Sequence, residues 1–131
     1  MYSNIQIADI CHAVNRAICE SLPDPAIPTP ATWDRASLWE QFGVIAGVKH
    51  FADKPAASAR EAHDAWLMDK LTNGWKYGPV KDEATKRHPC IVDYDALPPH
   101  QKVKAAVFLA IVSTCLRINN HERAEIADGI W

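Results

Sequence analysis

Three side chains at helical spacing are the first candidates for chemistry in this sequence. His63, Trp66 and Lys70 are separated by three and four residues, so on an α-helix they project from one face. A hydrogen-bond donor, an aromatic ring and a cation would then share one stripe. Ser58 and Glu61 have the spacing of a capping box, which predicts that this helix begins just before the stripe.

The segment after this helix continues the same chemistry. Trp75 and Tyr77 follow within a few residues, and the loop then supplies basic side chains: Lys81, Lys86, Arg87 and His88. Aromatic rings stack on planar groups, while lysine, arginine and histidine bind phosphate oxygens. This combination is suited to a nucleotide-like ligand. Residue types alone leave an alternative open, in which the tryptophans pack inside the domain and the basic residues are solvated.

A longer pattern connects these residues. The chain from position 63 onwards reads HDAWLMDKLTNGWKYGPVKDEATKRHPCIVDYDALPPHQK, and it resembles the ryanodine receptor (RyR) domain family. The motif places His, Trp and Lys on a helix, followed by Gly-Trp-x-Tyr-Gly, a Lys-x-His-Pro step and Tyr-x-x-Leu-Pro. The matching positions here are His63, Trp66, Lys70, Gly74, Trp75, Tyr77, Gly78, Lys86, His88, Pro89, Tyr94, Leu97 and Pro98.

The resemblance extends upstream, to the stand-alone versions of this domain in bacteria and bacteriophages. Those carry a Cys-His-x-x-Asn-Arg helix and a Gly-Val pair, which correspond here to Cys11, His12, Asn15, Arg16, Gly47 and Val48. One departure is that Lys104 is followed by Ala105, where those versions have an acidic residue. Any role of that acid in a site is therefore in doubt for this chain.

The resemblance implies a helical module that binds a small nucleotide-like ligand in an aromatic pocket, with stand-alone members acting in nucleotide-signalled conflict between bacteria and phages. Binding without catalysis is the preferred hypothesis, and no cofactor is expected. The expected ligand-binding residues are Asn15, Arg16, His63, Trp66, Lys70, Trp75, Tyr77, Lys86, His88 and Tyr94. For three of them structural roles remain open: Asn15 could bond to a loop, Arg16 could pair with Glu20 one turn away, and His88, before Pro89, could be a hinge of the loop.

Two other functions compete with ligand binding. A nucleotide-processing enzyme could use His63 or His88 as general acid or base near neutral pH, although the sequence contains no known catalytic motif. An interaction or assembly module, including a homo-oligomer, could use Trp33, Trp39 and Trp131 as an exposed aromatic patch.

Composition narrows the partners and the compartment. The chain has 131 residues and a net charge of −2, which predicts one domain and no basic field for duplex nucleic acid. Four scattered cysteines lack metal-binding spacing, so we expect no metal site. The apolar run from Ala105 to Cys115 is too short to cross a bilayer. With no secretory pattern at the N-terminus, the sequence predicts a cytoplasmic protein without a membrane segment.

The hydrophobic pattern predicts a mostly α single-domain bundle of about four helices. The first begins at the Ser3–Gln6 capping box and ends near Leu22; the second is capped by Thr32 or Asp34. Buried stripes are predicted on the second helix (Leu38, Phe42, Ile45, Val48) and on the fourth (Val103, Val107, Ala110, Ile111, Thr114, Ile118). A long structured loop or small β-hairpin, with Ile91 and Val92 as a short strand, should join helices three and four.

The single domain, residues 1–131, is predicted to divide into three parts. Residues 1–58 hold the N-terminal helices and a proline-rich connector, residues 59–118 hold the RyR-like motif, and residues 119–131 form a C-terminal tail. Nothing in the sequence fixes how that tail docks.

Overall fold

Four α-helices form the body of the molecule. The computed structural model describes residues 1–129, so Trp131 and its predicted place in an aromatic patch lie outside the described residues. The helices are α1 (Asn4–Ser21), α2 (Leu38–Phe51), α3 (Ala59–Thr72) and α4 (Pro99–Ala127). The predicted mostly α bundle is therefore confirmed.

The helix starts follow from side-chain caps. Reciprocal capping boxes are present at Ser3 and Ser58, where Gln6 and Glu61 return a hydrogen bond to the cap backbone, as predicted. The start of α2 differs from the prediction, because the Ser37 hydroxyl accepts from the Glu40 N–H. The predicted caps fall around a short 3-10 turn, Trp33–Arg35, that precedes the helix.

The main core lies between α1, α2 and α4, with one turn of α3 closing it. Its buried members are Ile7, Ala8, Cys11, Val48, Phe51, Ala62, Val112 and Cys115. Gly47 permits close approach of α2 and α4, since a Cβ there would lie 3.3 Å from the Phe108 ring. A smaller second core, Ile27, Cys90 and Leu97, forms where the proline-rich connector meets the loop before α4.

The predicted buried stripes of α2 and α4 are wrong in part. On α2, Val48 is buried as predicted and Ile45 is half-buried, but Leu38 and Phe42 are 68% and 62% exposed, and Phe51 is buried as well. On α4, Val103, Ala110 and Thr114 are exposed, while Gln101, Val112, Cys115 and Asn119 are buried. Both helices are apolar around much of their circumference, so periodicity did not identify which side meets α1.

The connection between α3 and α4 contains a two-stranded parallel sheet, β1 (Lys76–Tyr77) and β2 (Arg87–His88). A hairpin would be antiparallel. Here the loop between the strands turns back on itself, and Asp82 forms an antiparallel bridge with Arg87. Ile91 and Val92, predicted as a strand, lie in irregular backbone just before the 3-10 turn Tyr94–Ala96.

The C-terminal segment is better anchored than the sequence suggested. α4 continues without interruption to Ala127, and the buried Asn119 side chain clamps the backbone of Tyr2. Its Oδ1 accepts from the Tyr2 N–H at 2.6 Å, and its Nδ2 donates to the Tyr2 carbonyl at 2.7 Å. The first residues of the chain and the last third of α4 therefore form one packed unit.

The length of α4 changes one conclusion from the sequence. The apolar run was judged too short for a bilayer, but it is part of a 29-residue helix with an 18-residue window of mean hydropathy 1.3. By length and composition alone this helix could cross a membrane, with 17% of that window buried in the protein. A core helix of a soluble protein passes the same test, and α4 packs against α1, α2 and α3.

Candidate functional site

The stripe predicted on α3 faces inward rather than into solvent. His63 is buried, and its Nε2–H donates to the Val92 carbonyl at 2.8 Å. The imidazole stacks on Trp66, with ring centroids 5.6 Å apart and an interplanar angle of 24°. His63 therefore fastens α3 to the loop before α4, a role that occupies one of its two ring nitrogens.

Trp66 meets a second buried histidine. His88 packs edge-on against Trp66, with centroids 4.9 Å apart, and lies 6.3 Å from the ring of Trp75, which is 4% exposed. The His88 Nδ1 accepts a hydrogen bond from the Cys90 N–H at 2.9 Å. Burial, with help from the charge of Lys81, lowers the pKa of His88 to about 3. His88 is thus a neutral structural acceptor at pH 7.

Lys70 lies among three indole rings. Its Nζ is 4.7 Å from the Trp75 centroid, 4.9 Å from Trp39 and 5.9 Å from Trp66. An ammonium over aromatic faces is held by their quadrupoles, while burial, followed by the charge of Lys81, lowers the Lys70 pKa. Sequence reasoning placed Trp39 in an interaction patch and missed this contact, because nothing in local spacing brings α2 to the end of α3.

Tyr94 completes the aromatic group, and its ring is covered by cations of the chain itself. The Arg60 guanidinium lies 4.9 Å from the Tyr94 centroid and the Lys102 Nζ lies 5.1 Å away. Arg60 also forms a two-fold hydrogen bond with Asp95, at 2.6 and 3.2 Å. We call the packed side chains His63, Trp66, Trp75, His88 and Tyr94 the Trp66 cluster.

Five predicted ligand residues are not members of the Trp66 cluster: Lys70 lies against its indole rings, Tyr77 is exposed, and Lys86, Arg16 and Asn15 have other surroundings. Lys86 has a left-handed backbone, φ 56°, and its Nζ donates to the Asn73 carbonyl at 2.9 Å, at the end of α3. The Arg16 Nε donates to the Pro30 carbonyl at 2.8 Å, and its Nη2 lies 3.5 Å from Glu20, as the structural alternative predicted. Asn15 is half-buried and has no hydrogen-bond partner for its amide within residues 1–129.

His12, which matches the upstream family motif, is also engaged by the chain itself. It is buried, its Nε2–H donates to the Ala31 carbonyl at 2.6 Å, and its ring packs edge-on against Trp33. His12 and Arg16 together fasten α1 to the end of the proline-rich connector. These contacts shape one wall of a cleft described below.

Open space lies on the other side of the small sheet. A cleft of about 670 Å³, the first cleft, is bounded by the segment after β1 and the first residue of β2: Tyr77, Gly78, Pro79, Val80, Lys81, Asp82, Thr85 and Arg87. Tyr77 is 56% exposed, so its ring face is available. Arg87 lies directly over Gly78, where a Cβ would come within 2.6 Å of the Arg87 Cβ. Glycine at this position therefore lets the arginine lie across the strand pair.

A second cleft, of about 380 Å³, lies between the proline-rich connector and the start of α2. Its charged and hydroxyl-bearing lining residues are Thr29, Arg35, Ser37, Glu40, Lys81 and Glu83. Burial and a hydrogen bond with the Glu83 carboxylate raise the pKa of Glu40. Lys81 lines both clefts and lies 3.9 Å from Glu83.

The structure thus separates the predicted site into two regions. His63, Trp66, Lys70, Trp75, His88 and Tyr94 come together but mostly contact one another, whereas Tyr77 faces the first cleft. Lys81 and Arg87 were noted as basic loop residues, but Arg35, Glu40 and Glu83 were not predicted. Glu40 resembles an ordinary first-turn acid of a helix, so only the fold shows that it meets Glu83.

No group of three His, Cys, Asp or Glu side chains within the described residues could hold a metal ion. Comparison with known protein families gives one match that bears on function. The family model of the RyR domain matches residues 44–120, which is more than half of the chain. The matched range includes α3, both strands, Lys81, which lines both clefts, and most of α4.

Proposed function

Because this chain belongs to the RyR domain family, we propose that it binds a nucleotide-derived small molecule without transforming it, as a receptor or a sequestering protein. The ligand class follows from the resemblance described above, which also suggests a cyclic or ADP-ribose-type immune signal in conflict between bacteria and phages. Such a signal would be met in the cytoplasm.

The first cleft is the observation on which the proposal rests. Tyr77 offers an exposed ring for a base, and Arg87 and Lys81 offer two cations for phosphate within the same cavity. Arginine binds phosphate through paired N–H groups, and stacking on an aromatic ring tolerates different bases.

Binding without catalysis agrees with the state of the two histidines considered for proton transfer. A general acid or base should titrate near the working pH, but the pKa of His88 is lowered to about 3. His63 is buried and already donates to a backbone carbonyl. Both rings are better suited to holding the loop in place than to exchanging protons with a ligand.

Native mass spectrometry of the purified protein, followed by denaturation and identification of any released molecule, tests the proposal directly. Calorimetric titration with AMP, ADP, ADP-ribose and cyclic nucleotides should then give a measurable affinity for at least one of them. Arg87→Met should weaken that affinity about tenfold, the expected loss of one charge-assisted contact. Lys76→Met is the matched control, because Lys76 is an exposed cation on β1 that lines neither cleft.

If the molecule released on denaturation is a chemically altered nucleotide, the result would instead favour an enzyme. If no nucleotide binds and none is released, the ligand proposal is wrong.

One observation favours a second candidate, a protein-interaction or assembly module. Leu38 and Phe42 are exposed one turn apart on α2, beside the partly exposed Trp39. Exposed apolar groups of this kind mark interfaces. Sedimentation velocity at high concentration tests self-association: a dimer that dissociates in Phe42→Ser would support assembly, and a monomer at all concentrations would remove the homo-oligomer.

A further inference from the structure

Lys81 lies at the boundary between the two clefts. Its backbone N–H donates to the Ala26 carbonyl at 2.8 Å, which fixes the loop against the proline-rich connector. Its side chain is 20% exposed and lines both cavities. A ligand whose anionic group is bound at Lys81 would therefore extend into both clefts.

The two clefts differ in the chemistry they offer. The first has an exposed ring, Arg87 and one carboxyl group, Asp82, whereas the second has two carboxyl groups, Glu40 and Glu83, together with Arg35 and the hydroxyls of Thr29 and Ser37. An ionised carboxylate only accepts hydrogen bonds, so it repels phosphate and favours groups that donate. The vicinal hydroxyls of a ribose are such donors, and acidic side chains bind them in dinucleotide sites.

From this arrangement we infer that the second cleft binds the ribose of a nucleotide whose phosphate lies at Lys81, with the sugar hydroxyls donating to Glu40 and Glu83. The inference rests on the proposed function and narrows it to ligands with free 2′ and 3′ hydroxyls. The second cleft has a volume of about 380 Å³, the size for one sugar with its substituents. It shares the lining residue Lys81 with the first cleft.

The Glu40–Glu83 pair also explains why a ligand donor would be favoured there. Burial and the neighbouring carboxylate raise the pKa of Glu40, and Lys81 partly offsets this effect. Two close carboxylates repel unless a proton, a cation or a donor lies between them. Two ribose hydroxyls that donate to the carboxylates would reduce this repulsion without a change in the protonation of either glutamate. Lys81 and Lys70 are the lysines whose charges act on Glu40, and Arg35 lines the same cavity.

The experiment compares ADP with 2′,3′-dideoxy-ADP by calorimetric titration of the full chain. ADP is the smallest probe that carries a base, a ribose diol and a diphosphate. We expect ADP to bind about a hundredfold more tightly, the effect of losing two hydroxyl–carboxylate hydrogen bonds. Equal affinity for the two probes would overturn this inference and leave the proposed function standing. Failure of both probes to bind would overturn this inference, whereas the proposed function is overturned only when AMP, ADP-ribose and the cyclic nucleotides also fail to bind and no nucleotide is released.

Two variants assign the preference to the second cleft. Glu83→Gln changes an exposed side chain, so its fold should be unaffected, and the ratio of ADP to dideoxy-ADP affinity should fall towards one. Glu40→Gln should act in the same direction. Asp64→Asn is the matched control, an exposed carboxylate on α3 that lines neither cleft, and it should keep the full preference. An unchanged preference in both glutamine variants would place the ribose elsewhere.

Discussion

The Trp66 cluster and the two clefts around Lys81 are neighbours in the fold but differ in how their polar groups are used. In the cluster, His63 and His88 already have backbone partners, and the rings pack on one another. In the clefts, Tyr77 is exposed, and charged side chains line open space. Most residues that make the family recognisable thus hold the fold together, whereas the motif residue Tyr77 and the loop residues Lys81 and Arg87 line open space.

The largest expected effect is a difference in unfolding free energy between a variant of the Trp66 cluster and a variant of the first cleft. Trp66→Ala should lower the free energy of unfolding by about 3 kcal/mol, because removing a packed indole leaves a cavity in the cluster. Tyr77→Ala, which truncates an exposed ring, should change it by less than about 0.5 kcal/mol while weakening nucleotide binding. Urea denaturation measures both. A greater loss in Tyr77→Ala than in Trp66→Ala would reverse the comparison.

The pH dependence of the unfolding free energy should show that His88 stabilises the fold as part of the Trp66 cluster. Its pKa is about 3 in the folded chain and about 6.5 when unfolded, so the unfolded state binds the proton first as pH falls. The contribution of this group to stability is therefore complete above pH 6.5 and declines towards pH 3. Between pH 7 and pH 5 the loss should be about 2 kcal/mol.

Unfolding in urea at pH 7, 6 and 5 checks this, with His88→Gln compared with the native chain. The difference in pH slope between the two belongs to His88. An equal slope in the two proteins would show that His88 is not the titrating group.

A smaller effect on stability is expected at Gly78, where the small sheet borders the first cleft. Gly78→Ala should cost about 1–3 kcal/mol, since its Cβ would overlap Arg87 and force the strand pair apart. Nucleotide affinity should fall as well, because the arginine is displaced. Gly43→Ala is the control: nothing lies within 4 Å of a Cβ there, and replacing a helical glycine should raise stability by about 1 kcal/mol. Thermal and urea unfolding distinguish the two outcomes.

The smallest effect concerns Lys86, which the sequence placed among ligand contacts. Lys86→Gly should change stability by less than about 1 kcal/mol, because relief of its left-handed backbone offsets the lost bond to the Asn73 carbonyl. Nucleotide affinity should be unchanged. A tenfold loss of affinity in calorimetry would return Lys86 to the site.

Local signals in the sequence predicted much of the fold. The capping boxes at Ser3 and Ser58, and proline in the first turn of α4, mark three helix starts correctly. Helix faces were harder. α2 and α4 carry apolar residues on more than one side, so exposed Leu38 and Phe42 could not be told from buried Val48 and Phe51 without knowing where α1 lies.

The candidate site divides in the same way. Spacing on α3 placed His63, Trp66 and Lys70 together, and the fold does bring them into one group. Contacts that join distant segments were not predictable: Trp39 over Lys70, and Glu40 beside Glu83, depend on how α2 and the loop after β1 pack. Arg16 matched a family motif, but its guanidinium is engaged by Pro30 and Glu20.

The buried cysteines give each core its own reporter. Cys11 and Cys115 belong to the main core and Cys90 to the second, and burial raises the pKa of Cys11 to about 12 and that of Cys90 to about 11. Only the thiolate reacts with alkylating reagents, so each thiol is modified when its surroundings open. The rate of alkylation at Cys90, compared with Cys11, therefore measures how often the loop core opens independently of the helical bundle.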